Sequence, residues 1–170
     1  VAVTFDGNIF NRDELGVHQD DTSDAALFLK LYSRIGFERT LKKINGDFAV
    51  ALYDGTDDAL WLARDRFGVR PLYFAVGNGF FAFASRPRAL WILPGVSREV
   101  DVQFLAIFAS SHYRYFDNQP DHSPYRQILQ LPAAHLLKWE GGTWSKKPYW
   151  TLNTAEPDFD HSEEELAERY

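Results

Sequence analysis

Phe48-Ala49-Val50-Ala51-Leu52-Tyr53 and Ala59-Leu60-Trp61-Leu62-Ala63 are two nearly continuous apolar runs joined by Asp54-Gly55-Thr56-Asp57-Asp58. Short apolar runs bounded by turn formers read as strands buried on both faces, and two joined in this way read as a hairpin. A second hairpin follows directly, because residues 71–76 and 80–84 flank Gly77-Asn78-Gly79, and Asn-Gly tolerates the positive φ that tight hairpin turns demand. Strands without a polar face need cover above and below. These two hairpins therefore predict a layered α+β sandwich.

The flanking sequence supplies the covering layers. Val1-Ala2-Val3-Thr4-Phe5 is β-branched and aromatic, and it runs into Asp6-Gly7-Asn8, a turn-forming cluster expected to end the strand. Asp20-Asp21-Thr22-Ser23-Asp24 offers N-cap side chains to a helix over residues 25–35, whose Leu27, Leu31 and Ile35 share one face. A short second helix is expected over 37–44, stopped by Asn45-Gly46. Further on, the pattern predicts a helix over 102–109, a loop with Pro and His over 118–124, and strands at 133–139 and 143–147. Residues 153–160 read as a linker, and Ser162-Glu163-Glu164-Glu165 as a capping box opening another helix.

Composition narrows the function. A chain of 170 residues, 45% hydrophobic, is long enough for one buried core. The formal net charge of −6 gives no long-range attraction to nucleic acid or to an anionic membrane, and no apolar run is long enough to span a bilayer. A soluble, cytoplasmic protein is expected. With no cysteine, the residues shown contain no disulfide, thiolate metal site or thiol nucleophile. The chain opens without methionine and already inside a strand, so residues before Val1 are expected.

Four segments in this order resemble the N-terminal half of glutamine-dependent asparagine synthetases, whose class II amidotransferase domain has the N-terminal-nucleophile hydrolase fold. They are Phe5-Asp6-Gly7-Asn8-Ile9-Phe10-Asn11, Thr22-Ser23-Asp24, Ile44-Asn45-Gly46-Asp47-Phe48-Ala49, and Ala63-Arg64-Asp65-Arg66-Phe67-Gly68-Val69-Arg70-Pro71-Leu72-Tyr73. The last is highly specific. Phe81-Ala82-Phe83-Ala84-Ser85, Arg88-Ala89-Leu90, Leu131-Pro132 and Tyr149-Trp150 extend the likeness over essentially the whole chain. The resemblance implies a four-layer α/β/β/α sandwich of mostly antiparallel sheets with its N-terminal strand missing from this chain. It also implies an amidotransferase domain over 1–152, followed by a linker and the start of a synthetase domain at 153–170.

In such enzymes an N-terminal cysteine attacks the glutamine amide, and the released ammonia travels to a second domain that activates aspartate with ATP. Carried over residue by residue, the family's oxyanion hole falls on Asp6 and Gly7, and the glutamine site on Asp6, Gly7, Asn8 and Asp24. The cysteine, and the arginine that holds the glutamine carboxylate, would precede Val1. Two positions depart from the family's pattern. Asp6 replaces an asparagine, so an acceptor-only carboxylate stands where a donor is needed, and Asn8 replaces a glutamate. Losing one oxyanion donor costs on the order of 10²–10³ in kcat. The resemblance thus implies an ATP-dependent amide-forming ligase of asparagine biosynthesis whose glutaminase is weak or lost. The alternative is a non-catalytic scaffold domain, as in β-lactam synthetase-like or lasso-peptide-cyclase-like enzymes.

Glutamine is then the expected small-molecule ligand and a synthetase domain the expected partner in the same polypeptide, with oligomer formation left open. No cofactor is expected in this chain; ATP and Mg²⁺ belong to the following domain. Each candidate also has a simpler reading. Asp24 serves either as a helix cap or as the grip on the glutamine amino group, and Asp6-Gly7 alone would be a turn. Arg64, Arg66, Arg70, Arg86 and Arg88 concentrate positive charge without a phosphate-binding glycine-rich loop, which favours ion pairs, Asp65 among the partners. The five histidines lack metal-ligand spacing, and the five tryptophans read as core or domain interface.

Overall fold

The computed structural model describes residues 1–16, 22–110, 120–152 and 165. Eight strands and three helices are described. They are β1 (Ala2–Ile9), α1 (Asp24–Ile35), α2 (Phe37–Lys43), β2 (Gly46–Asp54), β3 (Ala59–Arg64), β4 (Tyr73–Gly77), β5 (Phe80–Ala84), α3 (Val102–Ser110), β6 (Leu129–Gln130), β7 (His135–Glu140) and β8 (Thr143–Pro148), with short 3-10 helices at Asp13–Leu15 and Pro87–Ile92. They build a five-stranded antiparallel sheet, β1-β2-β3-β7-β8, and a three-stranded antiparallel sheet, β5-β4-β6.

The two predicted hairpins are present, and the first is buried on both faces as its composition requires. Phe48, Val50 and Leu52 point from β2 toward α1 and α2, where they meet Leu27, Phe28 and Leu41. Ala49 and Ala51, on the opposite face, pack between the sheets with Leu72, Phe74 and Leu137. The outer face of the smaller sheet is covered more thinly: Leu90 of the 3-10 helix at Pro87–Ile92 packs there against Ala75 and Ile128, while α3 buries no residue. Among the described residues the layers run α/β/β, followed by this short helical cover.

One expectation is overturned. Asp6-Gly7-Asn8 is not a turn: β1 continues through it to Ile9, pairing Asp6 with Ala49, Gly7 with Phe48 and Asn8 with Asp47. Gly7 makes this possible, since its φ of +139° disfavours L side chains and a Cβ there would lie 1.9 Å from the Asp47 carbonyl oxygen. The helix expected to open at Ser162, apart from Glu165, the whole 153–160 linker, residues 111–119 and residues 17–21 with Asp20 and Asp21 fall outside the described residues.

Candidate functional site

The register of β1 on β2 decides where the predicted residues point. Paired residues share a face, so Thr4 and Asp6, opposite Ala51 and Ala49, face the inter-sheet space, whereas Phe5, opposite Val50, faces the helices. A cleft of about 130 Å³ opens there, lined by Thr4, Asp6, Ala49, Leu72, Phe83 and Ser85. The Ser85 hydroxyl, just past β5, donates to Asp6 Oδ2 at 3.3 Å, and Arg70 Nη1 lies 3.7 Å from Asp6 Oδ1. The Asp6 carboxylate thus sits at the mouth of an apolar cleft beside one hydroxyl and one guanidinium. Such a setting suits a cation or a hydrogen-bond donor and opposes a second negative charge.

Arg70 reaches this position through the loop joining β3 to β4. Asp65, fully buried, accepts backbone N–H bonds from Phe67 (3.0 Å), Val69 (3.0 Å) and Arg70 (2.9 Å). Arg64 donates to the carbonyls of Gly68 (2.5 Å), Arg70 (2.6 Å) and Leu131 (3.0 Å), and burial draws its guanidinium below the ordinary arginine range. The Tyr149 hydroxyl donates to the Arg64 carbonyl at 2.9 Å, and burial raises its pKa. Arg64 and Arg66 bond backbone carbonyls, Arg88 lies over the Trp91 ring, and among the described residues Arg70 is the one of the five arginines in an ion pair, with Asp6; Asp65 accepts backbone N–H bonds. Backbone groups of a tight loop need partners as much as charges do, and Arg64 and Asp65 supply them.

Asp24 stands apart from this cleft. Ser23, whose hydroxyl accepts from the Ala26 N–H at 3.2 Å, caps α1, so the capping reading of Asp24 is set aside. Asp24 is the first helical residue: its Oδ2 accepts from the Ile9 N–H at 3.1 Å and its Oδ1 pairs with Arg12, whose Nη2 also donates to the Thr22 carbonyl at 2.5 Å. Asp24 ties the end of β1 to the start of α1. Asp6 lies three residues before Ile9, about 10 Å along the strand. The structure brings Asp24 to the same strand as Asp6, Gly7 and Asn8 but not to the same face or point. Asn8 is exposed, and its side chain makes no hydrogen bond among the described residues.

Arg12 and Ser85 belong to this arrangement, and local sequence patterns assigned neither a role. Ser85 lay inside a recognised segment, yet its meeting with Asp6 spans 79 positions and depends on how the two sheets stack. Among the described residues, no helix is long and apolar enough to cross a membrane, and no group of three His, Cys, Asp or Glu side chains is placed to hold a metal ion. His135 Nδ1 lies 2.7 Å from the Ala133 carbonyl. Trp61 stacks on Phe37, Trp144 meets Phe74 edge-on, and Trp91 meets Tyr125 edge-on, and none of the five tryptophans is fully buried.

Comparison with known proteins agrees with this architecture. A family model described as a glutamine amidotransferase domain matches residues 1–150. The putative asparagine synthetase [glutamine-hydrolyzing] 1 of Methanocaldococcus jannaschii is 38% identical over 105 residues, covering 56% of this chain and 19% of that protein. Human asparagine synthetase [glutamine-hydrolyzing] is 31% identical over 124 residues, 69% of this chain and 21% of that one. Among solved structures, glutamine phosphoribosylpyrophosphate amidotransferase from B. subtilis superposes with a TM-score of 0.57 at 15% identity, over 88% of this chain and 29% of its own. That likeness shows a shared fold. The chain spans about a fifth of the length of each of these two synthetases. It belongs to the glutamine amidotransferase domain family, as the N-terminal domain type of asparagine synthetases.

Proposed function

We propose that this chain is the glutamine-side domain of a cytoplasmic, ATP-dependent amide-forming ligase of the asparagine synthetase type, and that its own glutamine hydrolysis is weak or lost. The observation that carries the reading is Asp6. By the family resemblance it falls on the position of the oxyanion-binding asparagine, and the support from the structure is that it turns a carboxylate into the inter-sheet cleft. A tetrahedral intermediate concentrates negative charge on one oxygen and needs donors about 3 Å away. An ionised aspartate offers none and adds repulsion. The Asp24 pairing points the same way. An incoming ammonium group must compete with Arg12 and the Ile9 N–H for that carboxylate.

In this reading residues 1–152 are the amidotransferase domain and 153–170 lead into a synthetase domain, which holds ATP and Mg²⁺ and is the principal partner. A second reading, a scaffold retained in a β-lactam synthetase-like or lasso-peptide-cyclase-like enzyme, draws on the same two features, since a domain that no longer handles glutamine is free to keep Asp6 and the Arg12–Asp24 tie. Asp6→Asn in a full-length protein carrying a cysteine nucleophile tests the role of the position. Restoring a donor is expected to raise glutamine hydrolysis by on the order of 10²-fold or more. An unchanged rate would remove Asp6 from the chemistry.

A further inference from the structure

Arg70 and Asp6 form an ion pair that leaves most of its bonding capacity unused. Arg70 Nη1 stands 3.7 Å from Asp6 Oδ1, beyond hydrogen-bond reach, and the two side chains are 40% and 49% exposed. Among the described residues the Arg70 guanidinium makes no hydrogen bond, and the Asp6 carboxylate accepts only the 3.3 Å bond from Ser85. The backbone beneath both charges is fixed. Asp65 Oδ2 holds the Arg70 N–H at 2.9 Å and Arg64 Nε holds its carbonyl at 2.6 Å, both from buried residues, while Asp6 is locked in β1 opposite Ala49. Two opposite charges on a rigid frame, with donors and acceptors to spare, need little further backbone ordering when a ligand takes them up.

Behind the pair the cleft is largely apolar. Its walls include Ala49, Ala51, Leu72 and Phe83, and its volume of about 130 Å³ suits one short aliphatic group, since an apolar cavity of roughly 150 Å³ takes benzene. A ligand complementary to mouth and walls together carries a cation for Asp6, an anion for Arg70 and a short apolar side chain. A free α-amino acid answers this description. Standard bond lengths place its nitrogen and carboxylate oxygens roughly 2.7–3.6 Å apart, close to the 3.7 Å between Asp6 and Arg70. Laid antiparallel to the pair, the zwitterion sets each charge beside its opposite, at the roughly 2.8 Å of a charge-assisted hydrogen bond. Asp24, engaged by Arg12 and the Ile9 N–H, leaves the amino group to Asp6. A glutamine side chain fits less well, because its amide would lose water against largely apolar walls.

We propose that the cleft binds a free α-amino acid with a short aliphatic side chain, its ammonium on Asp6, its carboxylate on Arg70 and its side chain against Leu72 and Phe83. The proposal rests on the reading above, in which the Asp6 carboxylate has displaced glutamine chemistry from the cleft. L-Leucine is titrated into the isotope-labelled 170-residue chain near neutral pH and followed by amide NMR. Saturable shifts are expected at residues 4–6, 49–51, 70–72 and 83–85. Isocaproate, which lacks the ammonium, and isopentylamine, which lacks the carboxylate, are expected to bind roughly tenfold or more weakly than leucine. Arg70→Gln should weaken leucine to the same degree, with the remaining amides reporting an intact fold. L-Glutamine should bind more weakly than leucine. Absence of saturable shifts at these residues overturns the proposal. So does isocaproate or isopentylamine binding as tightly as leucine, which makes the cleft a plain anion or cation site, and so does glutamine binding as tightly, or leucine binding untouched by Arg70→Gln. Loss of glutaminase fails by a different result, glutamate release by the full-length protein, so the two claims are separable.

Discussion

Asp24 completes the hydrogen bond of a strand-end N–H and neutralises Arg12, and it does so from the first turn of a helix, where a negative charge is favoured. Removing it leaves the Ile9 N–H without its acceptor and a partly buried guanidinium with only the Thr22 carbonyl, a loss of about 1–3 kcal/mol. Asp24→Ala is therefore expected to lower the melting temperature of this chain measurably. If Asp24 also grips the amino group of glutamine, the full-length protein should bind glutamine more weakly than this stability loss explains; a binding constant that does not move leaves Asp24 as a tie alone. Legibility at this scale was uneven for a physical reason. Ser23 as a cap could be read locally, because capping depends on residues three apart. Asp6-Gly7-Asn8 misled, because turn propensity is a local preference that pairing with β2 overrode, and because Gly7 was needed for close approach of two strands. The Ser85 contact depends on sheet stacking and leaves no local trace.

Between elements, the contact with the clearest pH signature joins α1 to β2. The Tyr32 hydroxyl donates to Asp54 Oδ2. That bond holds Asp54 below the ordinary carboxylate range, and it pushes Tyr32 up to about 12, helped by burial and by the Asp54 charge. A depressed carboxylate stabilises the fold above its unfolded pKa and ceases to do so as pH falls through its folded one. A raised tyrosine stabilises below its unfolded pKa and ceases to do so as pH rises through its folded one. Tyr32→Phe should then be less stable than the natural chain between about pH 4 and 10. The difference should shrink at both extremes, as urea titrations across pH would show. A difference that ignores pH would mean that the Tyr32 ring, not its hydroxyl, carries the contact. Long periodic elements such as α1 and the hairpin turning at Gly77-Asn78-Gly79 were readable because their signals are repeated or dictated by backbone geometry. Two-residue β6 and the 3-10 helix at Pro87–Ile92 were not, since neither is long enough to show a period.

For the whole molecule, the apolar runs of β2 and β3 required cover on both sides, by helices or a second sheet, and the four-layer order came with the family resemblance. The thinness of the second helical cover could not be inferred, because α3 is as apolar as a buried helix yet buries nothing here. Family membership rests on the match over residues 1–150, and the proposal of a weak or lost glutaminase rests on one carboxylate facing the cleft between the sheets. Glutamate release from glutamine by the full-length natural protein, with and without ATP, probes that claim most directly. A rate lower than an ordinary enzyme's by on the order of 10²-fold or more, down to that of the protein-free control, in both conditions is the predicted result. Turnover near an ordinary enzyme's roughly 10 s⁻¹ would contradict it, showing that Asp6 does not prevent oxyanion stabilisation.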